Sequence, residues 1–198
     1  MKSKETKLLR LGILGSGRGS NFIAIAEAIK RGELPATIVL VASDFADAPI
    51  LAEAARRGLP TYACLPSRFR TKLEPEIETA LAEQLQKAGA ELVVLAGFMR
   101  VVKEPLLKKF PNRIINIHPS LLPAFSGLQA WEQALKAGVR ETGCTVHRVN
   151  AVVDGGDILA QARVPILSGD TPESLHQRIQ KEEHRLLPEV IRRMAEGS

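Results

Sequence analysis

The segment I-I-N-I-H-P, residues 114–119, sets an amide and an imidazole two apart at the end of an apolar run. Alternate side chains of an extended chain share a face, so Asn116 and His118 project together while Ile115 and Ile117 project the other way. Pro119 has no N–H to continue a ladder, so the chain leaves the sheet there. Side by side, the amide and imidazole are a pair of donors suited to a developing oxyanion. A lone histidine is more often a core residue satisfied by the backbone. Here the strand end and the neighbouring amide argue for chemistry.

Other residues have types that could join them. Asp154 in V-V-D-G-G-D follows a strand-like run and precedes two glycines. It is either a turn residue or, if its loop folds over the strand ends, a carboxylate that would favour the imidazolium form of His118. Glu183 falls on the apolar stripe of Leu175, Ile179, Leu187 and Met194. It must meet a donor or a cationic ligand, unless the helix rolls to expose it. His147 is an accessory candidate, while His176 and His184 read as surface or half-buried residues.

The segment L-G-S-G-R-G-S-N puts Gly15, Gly17 and Gly19 between a strand and a helix. Such a turn brings N–H groups close to an anion, and the helix start adds partial positive charge, which together make a phosphate cradle. Ser20 and Asn21 either cap the helix or bond the ligand. A tight connection without a ligand is the bland alternative. Dinucleotide binding is the rival: Ser20 stands where the last glycine of that fingerprint belongs, while Asp44 is placed to act as the ribose-binding acid.

These residues need a frame. Leu8–Leu14, Thr37–Ala42, Leu92–Ala96 and Arg113–Ile117 read as strands; Asn21–Lys30, Pro49–Arg57 and Pro75–Lys87 have helical spacing. Gly32, Gly58 and Gly89 follow the helical segments as left-handed caps. Continuous apolar strands in a βαβα rhythm predict a doubly wound, Rossmann-like parallel sheet covered on both faces. C-T-V-H-R-V and I-L-A-Q-A-R-V-P-I then suggest an antiparallel extension. A last helix starts near Asp170, with Asp170 as capping acid, Pro172 early in the helix and Glu173 nearby. The reading is one α/β domain over 1–198: a polar tail 1–7, a parallel phosphate-binding half 8–117, and a half 118–198 carrying loops, antiparallel strands and the last helix.

Composition agrees with a single globular domain: 198 residues, 45% hydrophobic and 25% charged. A net charge of +5 favours anionic small molecules. Few aromatics and scattered basic residues argue against nucleic acid, and no run is long enough to span a bilayer. Cys64 and Cys144 form neither a zinc spacing nor a disulfide framework, and the amino terminus lacks a signal-peptide pattern. A cytoplasmic setting is the expectation.

The motifs L-G-S-G-R-G-S-N, V-V-L-A-G-F-M-R-V-V, I-I-N-I-H-P-S-L-L-P-A-F-S-G, G-C-T-V-H-R-V, V-D-G-G-D-I-L-A-Q and K-E-E-H-R-L-L-P-E-V-I occur in one order. In that order and over nearly the whole chain, they resemble the phosphoribosylglycinamide formyltransferases, folate-dependent formyltransferases of purine synthesis. The resemblance implies the formyltransferase fold, 10-formyltetrahydrofolate as formyl donor, glycinamide ribonucleotide as acceptor and no metal. A homodimer is compatible with it. It implies Asn116, His118 and Asp154 as the catalytic set. Gly19, Ser20 and Asn21 would take the substrate phosphate, with Arg18 as a charge partner. Gln180, Lys181, Glu182 and Glu183 would hold the ribose or glycinamide. Lys72, Met99, Arg100, Val101 and Val102, with Asn150, Ala151, Val152 and Val153, would line the folate pocket, much of it through backbone groups.

Gln129, Arg148, Asp157 and Lys72 stand where the family commonly has histidine, an aromatic, proline and arginine. Those departures touch the folate pocket and the loop after His118, and leave the catalytic set intact. Two alternatives stay open in the sequence: a formyltetrahydrofolate hydrolase, and a non-catalytic nucleotide-binding module.

Overall fold

Leu9–Leu14 (β1) is apolar on both faces because both faces are covered: Leu11, Ile13 and Leu14 have no exposed surface. In the computed structural model, which describes residues 7–197, β1 is an interior strand, third in order in a seven-stranded sheet. The expected polar tail, Lys7 apart, lies outside the described residues. The other elements in chain order are Ser20–Lys30 (α1), Ala36–Ser43 (β2), Pro49–Arg56 (α2), Thr61–Ala63 (β3), Pro75–Lys87 (α3) and Leu92–Leu95 (β4). Glu104–Lys109 (α4), Ile114–His118 (β5), Ala130–Lys136 (α5), Glu141–Arg148 (β6), Ile158–Pro165 (β7) and Pro172–Glu196 (α6) follow.

Strand order is β3-β2-β1-β4-β5-β6-β7. The first five strands are parallel and the last two are added antiparallel. This is the doubly wound, mostly parallel sheet with an antiparallel extension that the apolar patterning predicts. One face carries α1, α2 and α6, whose Phe22, Ile25, Ile50, Leu175 and Leu187 meet Leu11, Ile13, Ile115 and Val146. The other carries α3 and α4, whose Leu81, Leu85 and Leu106 meet Leu14, Val93, Leu95 and Ile114. Gly32, Gly58 and Gly89 have positive φ behind α1, α2 and α3, as their positions after helical segments require.

Three elements escape sequence reading. β3 is a three-residue edge strand with Thr61 and Ala63 exposed, and α4 and α5 have six and seven residues, too few to show a period. The cap of α6 also differs from expectation. Thr171, not Asp170, is the N-cap and makes a reciprocal capping box with Ser174. Asp170 instead takes Arg178 in a bidentate pair at 2.7 and 2.8 Å, which holds its carboxyl below the ordinary range.

The antiparallel extension depends on close backbone contact at Gly143, where a Cβ would fall on the carbonyl oxygen of Ala162 in β7. Backbone cannot yield there as a flexible side chain would. Gly143→Ala is expected to lower stability by about 2 kcal/mol or more, the cost of overpacking against a fixed neighbour. A urea titration followed by far-UV circular dichroism measures it.

Candidate active site

The carboxyl ends of β1, β4 and β5 open into one cavity of about 860 Å³, where open α/β sheets form their binding crevices. Asn116 and His118 lie on its wall and continue the face of Ile114 beyond the helices that cover it. Register adds a third side chain. Asn116 pairs directly with His147 across β5 and β6, so the two share a face, and Asn116 Nδ2 stands 3.1 Å from His147 Nε2.

Hydrogen bonding assigns the tautomer of His147. Its Nδ1 lies 2.8 Å from the carbonyl of Arg148, so Nδ1 carries a hydrogen. Burial pushes this imidazole down in pKa, toward the neutral form. Neutral Nε2 then accepts from the Asn116 amide and fixes its Nδ2 end toward β6. In sequence His147 is one more strand histidine; only the pairing register makes it the residue that orients Asn116.

Asp154 does reach the strand ends. Its backbone has φ 52, a left-handed conformation that aspartate tolerates. Its Oδ2 lies 3.5 Å from His118 Nδ1 and accepts from the N–H of Gly127 at 2.9 Å, while Oδ1 lies 3.7 Å from His147 Nε2. One carboxylate therefore ties the 150s loop to the 120s loop and faces His118, with the unprotonated Nε2 of His147 close by. The other nitrogen of His118, Nε2, lies 3.0 Å from the carbonyl of Phe125 and donates to it. A ligand oxygen that takes this N–H must replace Phe125.

At the other end of the cavity, Gly19 is the N-cap of α1 at φ 76 with no side-chain cap. The alternative of Ser20 or Asn21 capping α1 is thereby overturned. A Cβ on Gly15 or Gly19 would strike Ile50, whereas Gly17 has open space around it. The N–H groups of Ser20 and Asn21 have no acceptor among the described residues and belong to the cavity lining. Asn21 Nδ2 donates to Glu183 Oε2 at 3.0 Å, and Asn21 Oδ1 is buried without a donor. Glu183 stays on the buried stripe rather than rolling outward, and burial raises its carboxyl pKa.

Of the expected α6 residues, Gln180 and Glu183 line the cavity; Lys181 is exposed and Glu182 pairs with Arg185 at 2.9 Å, both outside it. The residue that shares the inner face with Gln180 and Glu183 is His176, four before Gln180. Its ring stacks on Trp131 of α5 with centroids 3.8 Å apart and planes within 2°. Half-buried, as its sequence position suggests, it nonetheless faces the cavity.

Met99–Val102 and Asn150, Val152 and Val153 line the remaining wall, while Lys72 and Ala151 do not. Lys72 is exposed, its ammonium 4.5 Å from the Phe69 ring. The Arg100 side chain is already committed within the protein. Its guanidinium is buried on Asp44 at 2.5 Å, and the other Asp44 oxygen accepts from Ser16 Oγ. Asp44 is 4% exposed with both oxygens engaged, so it offers nothing to a ribose and the dinucleotide alternative loses its acid. The pair anchors the 97–102 loop, and Ser16 Oγ also accepts from Met99 N–H at 2.8 Å. Both thiols are inert: burial pushes Cys64 and Cys144 up to about 12.

A Rossmann-like sheet with an amide, two histidines and a carboxylate gathered at its strand ends is an α/β enzyme equipped for chemistry at a carbonyl. The chain belongs to the formyl transferase family, whose model matches residues 9–191. It is 39% identical to the phosphoribosylglycinamide formyltransferase of Haemophilus influenzae over 95% of this chain and 88% of that protein. It is 40% identical over 98% of its length to the trifunctional purine biosynthetic protein adenosine-3 of Gallus gallus, of which it spans 19%. Among solved structures, glycinamide ribonucleotide transformylase 1 of Symbiobacterium toebii superposes with a TM-score of 0.92 at 50% identity, covering 98% of this chain and 90% of that one.

Glu183 gives a pH-dependent prediction. Its folded pKa lies above the ordinary carboxylate value of 4.5, so its contribution to stability is present below that value and is lost as pH rises toward the folded pKa. Glu183→Gln is therefore expected to melt higher than the parent at neutral pH. The difference should vanish below about pH 4. Thermal melts across pH measure the effect, and a lower melting temperature at pH 7 would contradict the account.

Proposed function

We propose that this chain transfers the formyl group of 10-formyltetrahydrofolate to the amine of glycinamide ribonucleotide. The observation that carries this reading is the convergence of Asn116, His118 and Asp154 on one cavity that also holds a free helix start at Gly19–Asn21. The distance from reactive set to phosphate cradle is spanned by a single site, which suits a phosphorylated acceptor bound beside a carbonyl donor.

The residues divide the work by chemistry. The amides of Gly19, Ser20 and Asn21 receive the phosphate. Glu183 and the undonated Asn21 Oδ1 receive hydroxyl or amine hydrogens of the acceptor. Arg100 and Val102 line the cavity, and their N–H groups have no acceptor among the described residues, which suits backbone recognition of the folate ring. Asn150, Val152 and Val153 close its far side.

The amine attacks the formyl carbon and the carbonyl oxygen becomes an oxyanion. Asn116 Nδ2–H and His118 Nε2–H donate to it, the latter after releasing the Phe125 carbonyl. Asp154 faces Nδ1 of His118 and stabilises the positive charge that helps hold the oxyanion. It also accepts the proton lost by the amine on its way to the departing folate nitrogen. No enzyme nucleophile is needed, in keeping with two buried, protonated thiols. Buried free cysteines fit a cytoplasmic location.

The extent of the likeness to phosphoribosylglycinamide formyltransferases and the phosphate cradle both favour transfer over hydrolysis. An assay with 10-formyltetrahydrofolate decides the matter. Tetrahydrofolate should appear only when glycinamide ribonucleotide is present, and release to water alone would identify a hydrolase. His118→Ala and Asp154→Asn are each expected to lower kcat/KM by about 10³-fold with the fold retained by circular dichroism. Unimpaired transfer in either variant would sink the mechanism, and a wild-type protein that releases no tetrahydrofolate with or without the ribonucleotide would leave the nucleotide-binding module.

A further inference from the structure

Two side chains at the phosphate end of the cavity have no hydrogen-bond or ion-pair partner among the described residues. Arg18 is exposed, lines the cavity and makes no ion pair among the described residues. His176 lines the same end, and neither of its ring nitrogens has a hydrogen-bond partner among the described residues. Its ring plane is nevertheless fixed by the stack on Trp131, the one tryptophan of the chain. An imidazole held rigid with both nitrogens unoccupied, beside an unpaired guanidinium and free helix-start amides, is equipped to meet a doubly charged anion.

We propose that His176, held by Trp131, is a phosphate-binding residue of this site and acts as imidazolium together with Arg18. The inference rests on the reading of the glycine turn as a phosphate-ester cradle. It deepens that reading by adding a titratable ligand from α6.

The electrostatics give the residue a particular behaviour. In the free protein, burial first and Arg18 second push the His176 imidazole down. The charged group that acts on it is Arg18 from the turn, and Glu183, two turns further along α6, lines the same cavity. Glu183 is itself biased toward its neutral form by burial. α5 presents Trp131, while its Glu132 is engaged by Gln129 and Lys136. A phosphate dianion placed among these groups cancels the repulsion from Arg18 and rewards a proton on His176. Binding then takes up a proton between the free and bound midpoints, and affinity grows as pH falls through the bound midpoint.

Trp131 reports this directly, because a stacked imidazolium quenches indole emission more strongly than neutral imidazole does. Emission is titrated against pH in the free protein and with saturating ribose 5-phosphate. The free midpoint is expected below the ordinary imidazole value of 6.5, and the ester should raise it by about one pH unit. Arg18→Leu should raise the free midpoint without ligand. His176→Asn, or His176→Gln if the first variant folds poorly, should remove the quench. It should also weaken ribose 5-phosphate binding about tenfold, and with the full substrates the loss should appear in KM rather than kcat.

A midpoint unmoved by saturating ester, or wild-type affinity in a folded His176 variant, would overturn the proposal. The readout does not need formyl transfer. An active transferase with an unmoved midpoint overturns this inference alone, and a moved midpoint in a protein that transfers no formyl group overturns only the activity.

Discussion

The pairing of β5 with β6 is the constraint on which the site depends. Parallel strands are buried on both faces and have no room for an unpartnered amide or imidazole. β5 carries Asn116 and His118 only because its last residues run past α3 and α4 to the cavity, and because an antiparallel neighbour supplies a polar partner. With Asn116 opposite His147, each side chain answers the other. A one-residue slip in this register would turn His147 to the other face and leave Asn116 unoriented. The same register sets Thr145 opposite His118, where its hydroxyl donates to Ser120 O at 2.6 Å and accepts from Leu122 N–H at 3.0 Å. The chain leaving β5 is thus pinned at its first turn.

A second constraint is the Asp44–Arg100 pair. Burying two charges is tolerated only when their remaining polar atoms are satisfied. Here Ser16 and the Phe69 carbonyl complete the set. That network ties the β1 turn, the end of β2, the segment around Phe69 and the 97–102 loop to one another. The loop is held because its arginine is buried and bonded to Asp44 and to the Phe69 carbonyl. Burial and its partners commit this arginine to scaffolding.

The cavity therefore has two ends with different chemistry and one shared wall. At one end lie the Asn116 amide, the His118 imidazole and the Asp154 carboxylate; at the other lie the helix-start amides, Arg18 and His176. Glu183 lies on the wall between neighbouring helices, bonded to Asn21 across 162 positions of sequence. Its burial is costly to the fold, and that cost is the usual sign of a residue kept for its ligand.

Much of this was legible in the residues alone. Continuous apolar strands dictated a sheet covered on both faces, glycines after helices dictated left-handed caps, and period two dictated that Asn116 and His118 share a face. These are local properties, set by neighbours a few residues away. The inward turn of Glu183 was half legible: the apolar stripe pointed it inward, but a rolled helix that exposed it stayed open until packing against α1 decided it. What only tertiary structure decided are the long-range partners. His147 gains its role from strand register, Asp44 loses its ligand role to Arg100, and His176 joins the cavity because α5 and α6 bring Trp131 against it. Asp154, itself at positive φ, reaches His118 from a loop whose path no periodicity describes. Local sequence sets which way a side chain faces along its own strand or helix. Which group it meets there depends on packing between elements far apart in the chain, and that is decided only when the core closes.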